Sequence, residues 1–272
     1  MNSLFQGVIA MELQSNLHLV IKIMIVILAI LVMIIPGYLL YQQVCVDPSS
    51  MTQAELTVRA YAKENHIPFK RYPESVIALL DRNPETANFV LEYPLKKDAD
   101  IQVDLSCYQN TEEVPLFLQW DQQWGYIPYG SDVAGLTGCG PVCLSMVAWY
   151  LTEEDAFSPD KMLQFALDNG YYSPGNGSSW TLISEGGVKL GFDVTEIPLV
   201  ESRIIKNLEV GNPIICAMGP GDFTTSGHYI VMVGYENGMI RVNDPNSIAN
   251  SQKLWSYEQI ESQIRNLWVI RN

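Results

Sequence analysis

Residues 138–151 read GCGPVCLSMVAWYL, and the neighbouring segments take their meaning from this stretch. Pro141 suits the first turn of a helix, where a missing N–H leaves no bond unmade. Val142, Met146 and Tyr150, with Cys143 and Val147, recur at helical spacing and predict one apolar face. Cys139 stands directly before Gly140 and Pro141, at the mouth of that helix. Unpaired N–H groups and about half a positive charge at a helix start favour a thiolate over a thiol. The flanking glycines, Gly138 among them, let a substrate approach the backbone closely. The bland alternative for a free cysteine is a small buried residue, and it suits Cys143, one turn further on, and Cys216 within an apolar run.

Downstream, Met162–Asn169 reads as a helix closed by Gly170, and Thr181–Leu190 as another closed by Gly191. The runs Asn212–Met218, Tyr229–Tyr235 and Met239–Asn243 read as strands. A leading helix followed by paired strands predicts an α+β domain, not alternating βαβ units.

A cysteine nucleophile needs a base, and His228 is the one histidine after residue 111. It opens a strand, following the loose Gly-Pro-Gly of residues 219–221. Asp244 ends the next strand and can orient the imidazole through its second nitrogen. The pairing depends on the hairpin around Glu236-Asn237-Gly238. A two-residue Asn-Gly turn sets Asp244 opposite Val231, facing away from His228. A three-residue loop ending in a left-handed Gly238 sets it opposite Ile230, on the face of His228. A working Cys-His-Asp set therefore predicts the three-residue loop.

The chain has 272 residues, 48% hydrophobic and 17% charged, which excludes a disordered tail, a collagen-like repeat or a small disulfide scaffold. Its net charge of −14 argues against nucleic acid as a partner. Residues 1–44 contain one Glu and one Lys, so all of that charge belongs to residues 45–272. Residues 23–41, IMIVILAILVMIIPGYLLY, carry no charge over nineteen positions. With Leu19–Ile21 ahead of a snorkelling Lys22, a transmembrane helix is expected over about residues 19–41. Lys22 precedes the run and no Lys or Arg follows before Arg59. The expected product is a single-pass protein of a bacterial cell membrane, its bulk outside the cytoplasm and the lipid bilayer a partner. A cleaved signal peptide is the competing reading, although no small-x-small site follows Ile35. Residues 45–110 read as a partly helical spacer, with helices expected over about Thr52–Asn65 and Pro73–Arg82. His18 and His66 lie outside any metal-ligand spacing.

Several pieces then come together in order: Val114-Pro-Leu-Phe-Leu-Gln119-Trp-Asp-Gln-Gln-Trp124, Tyr129-Gly130, Thr137-Gly-Cys139-Gly-Pro141, Gly177-Ser-Ser-Trp180, Gly227-His228-Tyr-Ile-Val231 and Asn243-Asp244-Pro245. On these, the part of the chain from residue 114 resembles the peptidase domain of cysteine peptidase family thirty-nine in its stand-alone form. The resemblance implies a papain-like cysteine peptidase fold in the final domain, set at 111–272. It also implies Cys139 as nucleophile, His228 as general base and Asp244 as orienter, with no cofactor and no metal. Gln119 is implied as the side-chain donor of the oxyanion hole, with Gln122 and Gln123 as competitors nearby. Trp180, Gly138 and the 219–227 loop ending in Gly227 are expected to line the cleft for a peptide or cell-wall peptide substrate. Gly138 departs from the family's bacteriocin exporters, which carry an acidic residue before the cysteine, so cleavage after a double-glycine leader is not expected. Three rivals remain: an inactive binding module on the same fold, a thiol oxidoreductase using Cys139 and Cys143, and a zinc site from Cys139, Cys143, Cys216 and His228.

Overall fold

The computed structural model describes residues 21–35 and 51–272. The chain divides into two compact units, Met1–Thr52 and Gln53–Asn272. In the first, residues 21–35 are helical. The membrane span expected over about residues 19–41 falls within the described residues only at 21–35. Among the described residues no helix is long and apolar enough to cross a membrane. Residues 19, 20 and 36–41 of the expected span, with His18 and Cys45, lie outside the described residues.

The second unit begins with three helices, α1 (Gln53–Glu64), α2 (Glu74–Arg82) and α3 (Ala87–Lys96). The first two fall where helical spacing places them. Their apolar stripes bury Ala54, Val58, Val76 and Leu80 together with Phe89 and Val90 of α3. Tyr126 and Val133 join the same cluster, so residues 53–96 dock on the remainder and do not form a free spacer. Phe89 is the pin, 1% exposed and stacked on Tyr126 with ring centroids 4.6 Å apart. Glycines accept the other edge of its ring, since a Cβ on Gly135 would come within 2.5 Å of it. Phe89→Ala is expected to cost about 3–5 kcal/mol, as for other buried Phe truncations. Chemical denaturation should show that loss in one transition shared by the helices and the sheet. A separate early transition of residues 53–96 would contradict the shared core.

Two small hairpins follow, β1 (Pro128–Tyr129) with β2 (Asp132–Val133), and β3 (Tyr172–Ser173) with β4 (Gly177–Ser178). Between them run α4 (Cys139–Thr152) and α5 (Pro159–Asp168). The segment expected as one helix over Thr181–Leu190 is a π-helical turn, Leu182–Gly186, continued by Gly187–Lys189. A six-stranded antiparallel sheet then forms in the order β5-β10-β6-β7-β8-β9. Its strands are β5 (Asp193–Glu196), β6 (Ile214–Met218), β7 (His228–Glu236), β8 (Met239–Asn243), β9 (Leu254–Trp255) and β10 (Ile264–Arg271), with helix α6 (Glu201–Glu209) between β5 and β6. This is the α+β architecture expected. Successive strand residues alternate faces. Ile215, Tyr229, Val231 and Trp268 pack with α4 and α5, whereas Ile214, Cys216, Ile230 and Leu267 pack with Ile204 and Leu208 of α6.

α4 departs from the single apolar face read from its spacing. Every residue from Gly140 to Trp149 is buried, so the helix is wrapped on all sides. It packs on β7, α5 and β4, and Tyr108 closes another side, accepting a hydrogen bond from Trp149 Nε1 at 3.4 Å.

Candidate active site

α4 carries Cys139 as its first residue, partly exposed, with the backbone N–H groups of the first turn lacking intrahelical acceptors. β7 carries His228 as its first residue, and Asp244 follows directly after β8. Nε2 of His228 lies 2.7 Å from Oδ1 of Asp244, with side-chain exposures of 8% and 1%. A carboxylate only accepts, so Nε2 carries the hydrogen and Nδ1 is left for the Cys139 side. Burial pulls the imidazole down in pKa. The charge and hydrogen bond of Asp244, joined by Cys139, overcome it and push His228 up to about 10. The ring is thus built to stay protonated beside the sulfur.

The route to this pairing differs from the expected one. The turn is the two-residue Asn237-Gly238, both residues at positive φ, with Glu236 paired to Met239. That turn alone would set Asp244 opposite Val231. The register shifts between Met232 and Gly234, where Val233 is an extra residue, and Val231 instead pairs with Asn243. Asp244 therefore falls next to Ile230, on the face of His228. A β-bulge in the strand supplies the residue that a longer loop would have supplied.

Asp244 is held independently of the histidine. Its Oδ1 also accepts the Asn246 N–H at 2.9 Å, and its Oδ2 accepts from Asn250 Nδ2 at 2.8 Å. Its own N–H donates to Ser251 Oγ at 2.9 Å. Asn250 and Ser251 went unread in the sequence. The signal was Ser247, whose side chain caps the short helix that carries them.

Gln119 is 4% exposed. Its N–H donates to the Pro245 carbonyl at 2.7 Å and its Nε2 to the Gly135 carbonyl at 2.9 Å. One amide hydrogen remains to donate elsewhere, and Oε1 has no partner among the described residues. The two competitors make their side-chain bonds with residues 92–104. Gln122 bonds Glu92 and Lys96, and Gln123 Oε1 accepts the Asp104 N–H. The long interval between Gln119 and Cys139 folds back as the β1–β2 hairpin and a turn of helix, Ala134–Thr137.

The three expected cleft residues separate. Gly138 is buried, and a Cβ there would lie 2.7 Å from the Ala134 carbonyl oxygen, so packing explains this glycine. Gly227 is exposed with open space where a Cβ would sit, beside His228. Trp180 is 50% exposed and meets Trp268 edge-on at 5.9 Å. One wall of the cysteine is a hydrogen-bond chain that sequence reasoning missed. The Tyr129 hydroxyl lies 2.6 Å from Ser178 Oγ, and the Tyr229 hydroxyl donates to the Ser178 carbonyl at 3.3 Å. Gly140 is required there, because a Cβ would stand 2.8 Å from the Ser178 side chain.

Cys143 and Cys216 are fully buried free thiols pushed up in pKa, first by burial. They belong to cores on opposite faces of the sheet, and no metal-holding group of three His, Cys, Asp or Glu occurs among the described residues. Cys139 and Cys143 are not joined as a disulfide. A groove of about 300 Å³ lies elsewhere, between Glu196–Leu199 and Ile264–Leu267, and contains none of the four side chains. Chemistry and concavity therefore point to different places.

The family model described as the Peptidase_C39-like family matches residues 111–272. No curated protein matches the chain. Among solved structures, the peptidase domain of Streptococcus ComA, a bi-functional ABC transporter involved in a quorum-sensing pathway, is 22% identical. The match covers 50% of this chain and 91% of that one, with a TM-score of 0.38. A chain from Bacillus anthracis described as a C39-like peptidase is 15% identical over 59% of this chain and 96% of its own, with a TM-score of 0.34.

Proposed function

This chain belongs to the Peptidase_C39-like family, and from that premise we propose that it is an active cysteine peptidase with Cys139 as nucleophile. The observation that carries the reading is the 2.7 Å His228–Asp244 hydrogen bond at the mouth of α4. His228 takes the thiol proton, and the Cys139 sulfur attacks a peptide or amide carbonyl. The new C–S bond places negative charge on the carbonyl oxygen. The Cys139 N–H and the spare N–H of Gln119 stabilise that oxyanion, each donor contributing about 3 kcal/mol in comparable sites. The C–N bond breaks as the imidazolium protonates the leaving amine. Water, deprotonated by His228, then hydrolyses the thioester and restores the thiol. Asp244 keeps the ring oriented throughout, and Trp180 and Gly227 border the substrate.

The N-terminal run supports a further part of the proposal, attachment to a bacterial membrane with the peptidase outside the cytoplasm. Nineteen uncharged positions follow Lys22, and apolar side chains of the 21–35 helix are exposed. Retention in the membrane pellet after alkaline carbonate washing is the expected result; release into the wash removes the anchor.

Iodoacetamide labelling tests the chemistry without a substrate. An ordinary thiol of pKa about 8.5 is almost wholly protonated at pH 6 and reacts slowly. Cys139 is expected to label at least about tenfold faster there than the exposed Cys107, because an adjacent imidazolium favours the thiolate. The raised pKa of His228 sets the pH course. Its charged form persists until the pH climbs to about 10, so the Cys139 rate should stay level between pH 6 and 9. Peptide mass spectrometry follows each cysteine. Labelling of Cys139 no faster than Cys107 would remove the peptidase reading and favour a binding module. A Cys139–Cys143 disulfide that blocks both until reduction would favour the oxidoreductase.

A further inference from the structure

We propose that Asn83 and Glu85, in the helical segment ahead of the family domain, are positioning residues that hold the catalytic Asp244 through the loop after it. The inference rests on the peptidase reading of Cys139, His228 and Asp244. Among the described residues, every group that fixes the Asp244 carboxylate, apart from His228, comes from residues 246–250: the Asn246 N–H on Oδ1 and Asn250 Nδ2 on Oδ2. That loop is itself held from outside. Glu85 Oε2 accepts the Ile248 N–H at 2.7 Å and Glu85 Oε1 accepts the Ala249 N–H at 2.9 Å. These belong to the first turn of α7 (Ile248–Ser251), where N–H groups lack internal partners and a carboxylate is favoured.

Asn83 adds a second hold. It is 9% exposed, and its Nδ2 donates to the Asn246 carbonyl, which also receives Trp120 Nε1 at 3.0 Å. Its other side is fixed, since Oδ1 accepts the Glu85 N–H at 3.0 Å. Asn83 and Glu85 thus form one rigid turn, Asn83-Pro84-Glu85, gripping both ends of the 246–249 stretch. Both residues lie outside the region that the family model matches. Positioning must be tight for such a device to matter, because about 1 Å of misplacement can cost a hundredfold in rate.

The test uses the full chain with Glu85→Ala, Glu85→Gln and, as control, Glu74→Ala, an exposed acid at the start of α2. Three readouts are taken: the Cys139 alkylation rate at pH 6, the titration of the His228 ring by imidazole NMR, and the thermal midpoint. Glu85→Ala is expected to slow alkylation about tenfold and to move the His228 titration to lower pH. Glu85→Gln, whose side-chain oxygen still accepts one N–H, should recover most of both effects, and Glu74→Ala should change neither. Glu85→Ala with a lowered thermal midpoint but wild-type alkylation and wild-type His228 titration would overturn the proposal and leave a structural contact. Slow labelling of Cys139 in the wild-type chain would instead overturn the peptidase reading, together with the role given to the clamp. The two failures are therefore read from different proteins.

Discussion

His228→Ala is expected to lower peptide hydrolysis by about four orders of magnitude, the scale of single losses from catalytic sets that act as a unit. Two functions disappear together. No imidazolium remains beside Cys139 to hold the thiolate, and no acid remains to protonate the departing amine. The alkylation rate of Cys139 should fall toward that of Cys107 at pH 6 and then climb with pH as an ordinary thiol does. Stability should change far less. Asp244 loses one partner but keeps the Asn246 N–H and Asn250 Nδ2, so its charge is not left bare. A variant that still hydrolyses peptides within about tenfold of wild type would show that His228 is not the base.

Asp244→Ala is expected to have the largest effect on stability of any site substitution, about 3–5 kcal/mol. Three part-buried donors lose their acceptor at once: His228 Nε2, the Asn246 N–H and Asn250 Nδ2. The sign of the accompanying pKa change follows from the causes acting on His228. Burial lowers its pKa and the Asp244 charge and hydrogen bond raise it. Without the carboxylate, burial dominates, and the ring titrates far below the wild-type value of about 10. Neutral imidazole then faces Cys139 at pH 7, and hydrolysis should drop by about a thousandfold. Asp244→Asn separates the two effects. An amide oxygen can still accept from His228, and a rotated Asn250 amide can accept from the new NH2, so most stability should return while the pKa stays low. Denaturant titration and the pH dependence of alkylation measure the two separately. An Asp244→Ala chain as stable as wild type, with an unchanged alkylation profile, would remove Asp244 from the site.

Much of this site is legible in the residues alone, because its chemistry depends on local features. A cysteine ahead of Gly-Pro at a helix start, a single downstream histidine opening a strand, and an aspartate closing the next strand are all visible without coordinates. The α+β class is equally legible, since helical and strand spacing are local patterns. The match of residues 111–272 to the Peptidase_C39-like family agrees with the family resemblance carried by those pieces.

What stayed hidden depends on partners distant in sequence. Periodicity gave α4 one apolar face, yet its surroundings arrive from Tyr108, β4, α5 and the sheet and bury it on every side. The place of β10 between β5 and β6 is set by pairing across the sheet, which its own strand-forming run, residues 267–270, does not record. The bonds that hold Gln119 need the Gly135 and Pro245 carbonyls, which only the folded chain brings within reach. The hairpin is the sharpest case. Its sequence specified that Asp244 could meet His228 only if one extra residue were absorbed somewhere, but not where. The left-handed Asn237-Gly238 turn is locally satisfied with two residues, so the strand absorbed Val233 as a bulge under the demands of the cores on either face. Sequence determined which side chains are candidates for the chemistry; tertiary packing decided the register that aims them, because a register is a sum of many non-local contacts that no single residue records.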